Sequence, residues 1–458
     1  MVGAARTTTT ADLSVKLLII DQDDVALNLA WRAVQAGHQV RLFTEPKHVK
    51  NRTGDGFNGI THISNFISHA GWADVIFPVS NGRYIDKLDR MRADGAKVFG
   101  PSVRSANLEI RRAEGMRFLE AHGIDVPAYK QFNSLAEAEA YVWKTARRFV
   151  FKTMGDNEDK SLSYCSRGPD DMIARLDRWQ ALGMNPKGPV MLQEFIEGTE
   201  FGVSCWIGSE GRIGPYNENF EHKRLMSSEH GKGCGPNTGE MGTVQRYTPA
   251  SKLGDQVLAP LIDDLVAMGH RGDVDLNCII DETGKPWPLE FTARAGWPSF
   301  NIQMAAHRGD PVKWMLDALD GGVDTLQVSY DVAVGIVIAH PDFPYDQKPA
   351  EEVGGIPIYG IDRGVMRYLA PQGVRIQTMP VVKDGLLTEQ PIWCTSSTYA
   401  MVATGLGASV RQAADRAYAV VEKVHLANKI YRDDIGEQME ECLPKLHAHG
   451  YATGMDYD

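Results

Sequence analysis

The sequence lacks the features of a secreted, membrane-spanning or zinc-binding protein. Its six cysteines are scattered, with no CxxC pair and no histidine partners at short spacing, so they indicate reduced, cytosolic thiols. The segment Met1 to Ser14 is polar and Thr-rich and has no apolar signal-peptide core. No apolar run approaches membrane-spanning length. The sequence therefore predicts a cytoplasmic protein that does not contact membranes.

Positive charge is also in short supply. The chain has 48 Lys and Arg residues against 59 Asp and Glu residues, a formal net charge of −11. Broad electrostatic binding to nucleic acid or anionic lipid is not expected, although a local basic cleft is compatible with this balance. A small, partly anionic substrate fits better, bound by a monomer or homodimer. At 458 residues, the chain is long enough for about three domains.

Apolar segments alternate with amphipathic ones in the first hundred residues. The order is strand, helix, strand, repeated, which predicts a small parallel α/β sheet with a boundary near Gly100-Pro101. The segments are Val15 to Ile20, Val25 to Gln35, His38 to Phe43, Ala73 to Val79, Ile85 to Ala93 and Lys97 to Phe99.

The rest of the chain mixes strands and helices without an internal repeat, as an α+β region does. From about Asp331 a further set of short strands appears, which predicts a third, smaller domain. The predicted elements are helices at Leu108 to His122, Pro169 to Leu182 and Ser409 to Lys429, and strands at Phe149 to Lys152, Val190 to Gln193 and Ala333 to Ala339.

The segment Gly272 to Gly296 has the pattern of a β-hairpin that carries acids. Asp275 and Glu290 lie in two apolar runs separated by a Thr-Gly turn, so two carboxylates face one space. Such a pair needs a cation, and oxygen ligands suit Mg²⁺ (or Mn²⁺) that bridges nucleotide phosphates. Arg294 is placed to stabilise a transferring phosphoryl group. A surface hairpin with solvated acids stays open on this segment alone.

Three other segments carry possible ligand groups. Lys152 interrupts an apolar strand and Lys160 lies in the loop after it, an arrangement able to clamp polyphosphate or simply to be solvated. Residues Gln193 to Ile196 end a strand whose backbone can pair with an adenine edge, and Glu200 can accept from ribose hydroxyls, although a plain hairpin edge has the same pattern. The segment Glu221 to Gly242 is rich in glycine and basic groups, which favours an anionic substrate loop over a mobile solvent loop.

These segments, in this order, resemble the ATP-grasp superfamily and, within it, the phosphoribosylamine-glycine ligase (GAR synthetase) family. The similarity covers roughly residues 15 to 436. Its most specific motifs are GPS with LE downstream at Gly100 to Glu109, EHKR at Glu221 to Arg224, GPNTGEMG at Gly235 to Gly242 and YRDDIG at Tyr431 to Gly436.

The resemblance implies roles for individual residues. It implies ATP and Mg²⁺ as cofactors, ATP contacts from the segments above, metal ligands in the hairpin and a substrate side on the Gly-rich loop. By this resemblance Lys152 and Arg294 are catalytic; the ATP-binding residues are Arg112, Lys152, Lys160, Gln193, Glu194, Phe195, Ile196 and Glu200; the metal ligands are Asp275, Glu290 and Thr292; and the substrate-binding residues are Lys223, Arg224, Asn237, Thr238, Gly239 and Trp297.

Two departures from the family concern the substrate half. The Gly-rich first βα turn, which suits a substrate phosphate in the family, reads Asp21-Gln22-Asp23-Asp24 here. A phosphate beside one such charge faces repulsion of about 4 kcal/mol at 4 Å with an effective dielectric near 20. In the metal-binding motif Thr292 replaces an Asn, which weakens metal binding, and Trp297 replaces an Asp, which suggests a bulkier substrate.

The sequence thus predicts an ATP-grasp ligase that forms an amide through an acyl phosphate, joining an amino acid, glycine among the candidates, to an amine other than phosphoribosylamine. A true phosphoribosylamine-glycine ligase of purine biosynthesis and a non-catalytic ATP-binding homologue are the alternatives. The predicted division is a disordered N-terminus (1–14), a pre-ATP-grasp α/β domain (15–107), an ATP-grasp domain (108–328), a C-terminal lid-like domain of mixed structure (329–440) and a tail (441–458).

Overall fold

The computed structural model describes residues 14–45, 52–154, 163–184, 186, 188–322, 325–345, 348 and 350–458. Residues 1–13 of the predicted N-terminal segment and the loop that contains Lys160 lie outside the described residues. Within the described part, no helix is long and apolar enough to cross a membrane.

The chain begins with the predicted parallel sheet, in the order β3-β2-β1-β4. Its elements are β1 (Lys16–Ile20), α1 (Leu27–Gln35), β2 (Gln39–Phe43), β3 (Ile60–Ile63), β4 (Val75–Pro78) and α2 (Ile85–Ala93). The strand β3 was not predicted, because its residues are only half-buried and its apolar pattern is weak. The predicted strand Lys97 to Phe99 was wrong: it contributes a single bridge, between Val98 and Ile76.

A second, antiparallel sheet follows, in the order β5-β8-β6-β7. The elements of this region are α3 (Val103–Ile110), α4 (Arg112–Ala121), β5 (Tyr129–Phe132), α5 (Leu135–Thr145), β6 (Phe149–Thr153), β7 (Tyr164–Cys165), α6 (Pro169–Ala181) and β8 (Val190–Glu194). The single helix predicted over Leu108 to His122 was wrong, because Arg111 leaves the helical conformation (φ −103°, ψ 73°) and separates α3 from α4. The chain therefore turns just before Arg112.

The largest sheet has eight strands in the order β15-β14-β9-β10-β13-β18-β23-β20. These strands are β9 (Thr199–Ile207), β10 (Arg212–Glu221), β13 (Gly242–Thr248), β14 (Gly272–Ile280), β15 (Pro286–Thr292), β18 (Val332–Ala339), β20 (Leu369–Pro371) and β23 (Tyr399–Gly407). The sheet contains strands from both sides of residue 328, where a domain boundary was placed. The division into domains stays a prediction.

Shorter strands and the remaining helices surround the large sheet. The strands are β11 (Arg224–Met226), β12 (Cys234–Asn237), β16 (His307–Arg308), β17 (Gln327–Val328), β19 (Pro357–Tyr359), β21 (Val374–Lys383), β22 (Leu386–Thr395) and β24 (His425–Leu426). The helices are α7 (Lys252–Val257), α8 (Ile262–Ala267), α9 (Ser299–Ala306), α10 (Lys313–Leu319), α11 (Ala350–Val353), α12 (Arg363–Met366), α13 (Val410–Lys423) and α14 (Met439–Ala448). The helix predicted over Ser409 to Lys429 ends at Lys423, because Val424 is extended and leads into β24.

The two faces of the large sheet differ in chemistry. Successive residues of a strand point to opposite faces, and on one face Phe201, Val203 and Leu276 join a buried core that includes residues of α13 and α14. The opposite face carries acids and amides, such as Asp275 and Asn219, and is partly covered by α9. This polar face, unusual for a buried sheet, positions the candidate site.

Candidate active site

The strands β14 and β15 form the predicted hairpin, but its two acids are not directly opposite each other. Asp275 pairs with Thr292, and Asn277 pairs with Glu290. Directly paired residues share a face of a sheet, and the two acids are therefore diagonal neighbours, roughly 7–8 Å apart at Cα. The residue opposite Glu290 is an amide that the sequence analysis did not identify.

One ammonium group lies among three carboxylates. The Nζ atom of Lys223 lies 2.8 Å from Oε1 of Glu200, 2.9 Å from Oε2 of Glu221 and 3.9 Å from Oε1 of Glu290. The Nδ2 atom of Asn277 donates to Glu200 at 2.6 Å and to Glu221 at 3.1 Å. Acids from β9, β10 and β15 are thus held together by one lysine and one amide. Glu221 and Asn277 are additions to the residues chosen from the sequence.

Glu290 has further cations on its other side. Arg112, at the start of α4, donates to Glu290 Oε2, and Lys152 donates to the carbonyl of Leu289 at 3.2 Å. Partial burial alone raises the pKa of Glu290, but Arg112, Lys152 and Lys223 outweigh it and hold that pKa well below its usual range. Burial lowers the pKa of Lys152 to about 8, with Glu290 opposing that shift. This is a compact site of fixed charges between the two antiparallel sheets.

The segment Gln193 to Ile196 lies at the end of β8, with several of its polar groups already bonded. The amides of Glu194 and Phe195 donate to the carbonyls of Ala128 and Arg148 at 2.7 and 3.2 Å. The side chain of Glu194 pairs with Arg147 at 3.2 Å, and Gln193 is buried. In the described part of the chain the amide of Ile196 has no backbone partner, which leaves it able to meet a nucleobase edge.

A small apolar cluster lies beside Lys152. Ala113, Met154 and Met191 are buried together, and Met191 pairs with Lys152 across β6 and β8. An apolar patch next to a cation suits a ligand with a flat ring and a charged tail. No local pattern predicted this cluster, because its members come from three separate parts of the chain.

Arg294 is tied to the N-terminal sheet through Glu109. Its Nη2 atom lies 3.3 Å from Oε1 of Glu109, while Oε2 of Glu109 accepts from the amide of Ala293 at 2.8 Å and from Nδ2 of Asn81 at 2.6 Å. Asn81 follows β4. Glu109 therefore fixes the chain after Glu290 against the carboxyl edge of the parallel sheet, where ligands of such sheets commonly bind.

Trp297 also contacts this edge. Its Nε1 atom donates to the carbonyl of Val79 at 3.1 Å, and its ring packs edge-on against Phe300 of α9. Trp297 thus joins the segment after the β14–β15 hairpin to the N-terminal sheet. It remains partly exposed, on the side of the predicted substrate region.

The acidic first turn is arranged differently from the simple row of charges that the sequence suggested. Asp21 is fully buried and accepts from the amides of Asp23, Val25 and Ala26 at 2.8–3.2 Å. Burial and then Asp24 raise the pKa of Asp21 to about 7. Asp24 is also buried, and only Asp23 of the three acids is exposed. The carboxylate of Asp21 thus occupies the amino end of α1.

The Gly-rich segment forms a small hairpin, β11–β12, rather than an irregular loop. Arg224 pairs with Asn237 and donates to the carbonyl of Gly235 at 2.9 Å. The hydroxyl of Thr238 donates to the carbonyl of Lys223 at 3.0 Å. Asn237 and Gly239 are exposed at the open end of the hairpin, opposite its turn. The structure therefore brings Lys223 into the charged site, while Arg224 is held by its own hairpin.

The YRDDIG motif anchors this hairpin. The guanidinium of Arg432 is buried, pairs with Asp434 at 2.6 Å and donates to the carbonyl of Gly231 at 2.9 Å. Asp434 also accepts from the amide of Ser228 at 2.9 Å. At Gly233, where φ is +67°, an added Cβ would lie 2.4 Å from Nη1 of Arg432, so only glycine fits there. The motif recognised in the sequence thus has a structural role.

Next to the charged site, the polar face of the large sheet carries two buried acids with raised pKa values, Asp273 and Asp275. Asp275 accepts from Asn219 at 2.6 Å, and burial raises its pKa well above the usual range, with further contributions from Glu221 and Asp273. Burial likewise raises the pKa of Asp273 to about 7. Burial and the neighbouring acids thus favour the protonated form of Asp275, and its role as a metal ligand stays a prediction.

Three oxygen-bearing side chains on one face of the β14–β15 hairpin are able to hold Mg²⁺. Glu290 offers a carboxylate, Asn277 an amide oxygen on the facing strand, and Thr292 a hydroxyl on the same face. Across the described ranges, no group of three or more His, Cys, Asp or Glu is arranged to hold a metal ion. This sparse set suits Mg²⁺, which keeps water and nucleotide phosphates as ligands and rarely uses an all-protein cage.

The fold is the ATP-grasp fold, and the site agrees with an enzyme that uses ATP and Mg²⁺. Residues 115–299 match the family described as phosphoribosylglycinamide synthetase, ATP-grasp (A) domain. The chain is similar to the phosphoribosylamine–glycine ligase of Salmonella typhimurium, with 26% identity over 92% of this chain and 98% of the relative. It is 29% identical to the Ralstonia nicotianae enzyme of that name, over 77% of this chain and 81% of the relative.

Solved structures show the same fold. The phosphoribosylamine–glycine ligase of Thermotoga maritima matches with a TM-score of 0.66 and 21% identity, over 92% of this chain and 100% of that one. A biotin carboxylase domain from Hydrogenobacter thermophilus, solved with MgADP, matches with a TM-score of 0.59 and 13% identity, over 97% and 99%. The chain thus has the ATP-grasp fold and contains an ATP-grasp domain that is similar to that of phosphoribosylamine–glycine ligases.

Proposed function

We propose that this ligase joins the carboxylate of an amino acid to an amine other than phosphoribosylamine, through an acyl phosphate. The observation that carries the proposal is the position of Asp21. The amino end of a helix binds a phosphate through its free amides, but the amides of Asp23, Val25 and Ala26 already donate to Asp21. A phosphorylated amine therefore finds these three amides, which lead into α1, already occupied, and the exposed Asp23 repels it.

The nucleotide half supports the phosphoryl-transfer part of the proposal. Lys152 and Arg112 supply fixed positive charge beside Glu290, and the Met191 cluster with the Ile196 amide offers a nucleobase site. Lys223 neutralises the charge that gathers as the carboxylate attacks the γ-phosphoryl group of ATP. Arg294, held by Glu109, stabilises the acyl phosphate until the amine attacks the acyl carbon, forms the C–N bond and releases inorganic phosphate. Catalysis then rests on positioning and electrostatics.

The metal would be held mainly by Glu290, with Asn277 and Thr292 as neutral oxygen donors on the same face. When bound, Mg²⁺ supplies charge neutralisation between nucleotide oxygens. Asn277 keeps Glu200 and Glu221 oriented, so that these acids can meet ribose hydroxyls and the Lys223 ammonium. Glu200 is partly exposed and therefore accessible to a nucleotide.

Phosphoribosylamine–glycine ligation is the second candidate function. Two observations favour it: the curated relatives carry that name, and Asp21 is directed inward, which leaves one exposed acid in the turn rather than three. The two candidates share the nucleotide half and differ in the amine.

ADP release and product mass distinguish the candidates. The purified chain is incubated with Mg-ATP and pooled amino acids, with phosphoribosylamine or with a panel of other amines. We expect ADP and an amide product with a different amine, and no product with Lys152→Met. Turnover only with phosphoribosylamine and glycine would overturn the proposal in favour of the second candidate.

A further inference from the structure

A cavity of about 360 Å³ lies away from the charged site, between α1, α9 and the chain around α12. Arg32, Arg363 and Arg367 line it together with Asn28, Asn301 and Trp31. A smaller cavity of about 260 Å³ shares Arg32 and Arg367 with it and adds Arg308. Among the described residues that line the two cavities there is no Asp or Glu, so three arginines face the larger cavity without an acid in its lining, while Arg308 of the smaller one has Asp331 at 4.0 Å.

The three arginines of the larger cavity have no acidic partners among the described residues. Arg32 donates to the carbonyl of Met304, and burial lowers its pKa. The partly buried Arg92 differs, since it has Asp89 at 2.5 Å. Guanidinium groups without counter-charges repel one another, and solvent screens this repulsion least at the half-buried Arg32. In a chain with a net charge of −11, three arginines around one cavity indicate a site for a negatively charged ligand.

Asn301 gives an independent indication of the ligand. This residue of α9 is 1% exposed, and its Oδ1 atom accepts from Asn28 at 3.1 Å. Within the described part of the chain, its Nδ2 atom has no hydrogen-bond partner. A buried donor without an acceptor costs free energy, and Asn301 lines the same cavity as the arginines. The Asn301 amide needs an acceptor, and the arginines favour one that carries negative charge.

The apolar side of the cavity is rigid. Trp31 packs edge-on against Phe57 and Trp393, with ring centroids 5.4 and 5.7 Å apart. Met366 and Leu369 lie on the same wall. A cavity with an apolar wall and a cluster of donors is typical of a site for an organic molecule with one charged end.

We propose that this cavity is a binding site for a small molecule that carries an oxyanion, either a phosphate or a carboxylate. Arg32, Arg363 and Arg367 present planar guanidinium groups, which bind such oxyanions through paired hydrogen bonds. Asn301 supplies the neutral donor, and Trp31 contacts the organic part. The site shares no residue with the Lys223–Glu290 cluster, so it does not depend on the function proposed above.

Calorimetric titration of the full chain tests this site directly. The nucleotide site is first saturated with Mg²⁺ and a non-hydrolysable ATP analogue, so that added anions cannot bind at Lys152. Inorganic phosphate and succinate are then titrated separately, which distinguishes a phosphate from a carboxylate site. We expect saturable binding of one of them to the wild-type chain.

Three variants assign that binding to the cavity. The double variant Arg363→Ala/Arg367→Ala removes two exposed guanidinium groups and is expected to weaken affinity at least about tenfold, because charge-assisted hydrogen bonds are lost. Asn301→Leu should weaken it as well. Arg178→Ala removes an exposed arginine of α6 and should change nothing. The absence of saturable binding to the wild-type chain, or equal binding to the double variant, would overturn the proposal.

Discussion

Asn277 lies directly opposite Glu290 in the β14–β15 hairpin, and its side-chain amide donates to both Glu200 and Glu221. Asp275, the acid singled out in the sequence, is one pair further along the strand and is bonded to Asn219. The register of the hairpin therefore favours Asn277 as the residue that supports the metal and nucleotide, whereas the sequence pattern favoured Asp275.

Replacing Asn277 should impair Mg²⁺ use more than replacing Asp275. Asn277→Leu removes the donor that orients two carboxylates, and loss of such a supporting group typically costs 10- to 100-fold in metal affinity or activity. We expect the Mg²⁺ concentration for half-maximal ADP release to rise by at least about tenfold. Asp275→Asn should change it little, because burial raises the pKa of Asp275 and so favours a neutral side chain, which asparagine imitates.

Thermal denaturation of both variants controls for folding, since both side chains are buried. A larger effect of Asp275→Asn on the Mg²⁺ requirement, in a protein that is equally folded, would restore the sequence-based assignment of Asp275 as a ligand.

Lys152 should make nucleotide affinity depend on pH. Burial lowers the pKa of Lys152 to about 8, and nucleotide phosphates bind the protonated ammonium better than the neutral amine. Affinity is therefore full below pH 8 and decreases as the pH rises through and above 8. Calorimetric titration of Mg-ADP between pH 7 and pH 9.5 measures this change.

The Lys152→Arg variant is the matched control for that measurement, because a guanidinium stays charged over the whole range. Its affinity should be nearly constant from pH 7 to pH 9.5. An identical decrease in the wild type and in Lys152→Arg would assign the pH dependence to another group.

The buried pair Arg432–Asp434 should stabilise the chain strongly. Asp434→Ala leaves the buried guanidinium of Arg432 without its acid and removes the acceptor for the Ser228 amide. Loss of one partner of a buried ion pair typically costs about 3–5 kcal/mol. Urea denaturation should show a decrease of that order in the free energy of unfolding.

Asp433 provides the neighbouring control. It is exposed, and Asp433→Ala should change the free energy of unfolding by no more than about 0.5 kcal/mol. If Asp434→Ala and Asp433→Ala were equally stable, the Arg432–Asp434 pair would not stabilise the chain by anchoring the β11–β12 hairpin.

Local patterns in the sequence predicted much of the fold because strands and helices follow from neighbouring residues. The helix α2 and the hairpin at Gly272 to Gly296 have the predicted character. The break at Arg111 was not predicted, because the apolar spacing continues through it. The place of β18 in the large sheet depends on pairing with β13 and β23, which no local pattern specifies.

The site was predictable only to the level of segments. The pairing of Asn277 with Glu290 depends on hairpin register, and the ladder is irregular just after Asn277. A one-residue shift changes every facing pair, so the sequence alone could not choose between Asp275 and Asn277. The inward orientation of the Asp21 side chain depends on its hydrogen bonds to backbone amides, which the residue types alone do not predict.

Asp21 should also make the stability of the chain depend on pH. Its pKa is raised from 3.8 to about 7, mainly by burial, so the folded state favours the protonated form. Its stabilising contribution is complete below pH 3.8 and is lost as the pH rises through about 7. Between pH 5 and pH 8 the wild-type chain therefore loses unfolding free energy at this position.

Urea denaturation at pH 5 and pH 8 compares the wild type with Asp21→Asn and with the exposed-site control Asp23→Asn. Asp273 and Glu218, whose pKa values burial also raises to about 7, contribute in all three proteins. The loss between the two pH values should therefore shrink in Asp21→Asn and stay at the wild-type size in Asp23→Asn. An undiminished loss in Asp21→Asn would mean that Asp21 is ionised throughout this range, and the amino end of α1 would then carry a full negative charge against any phosphorylated amine.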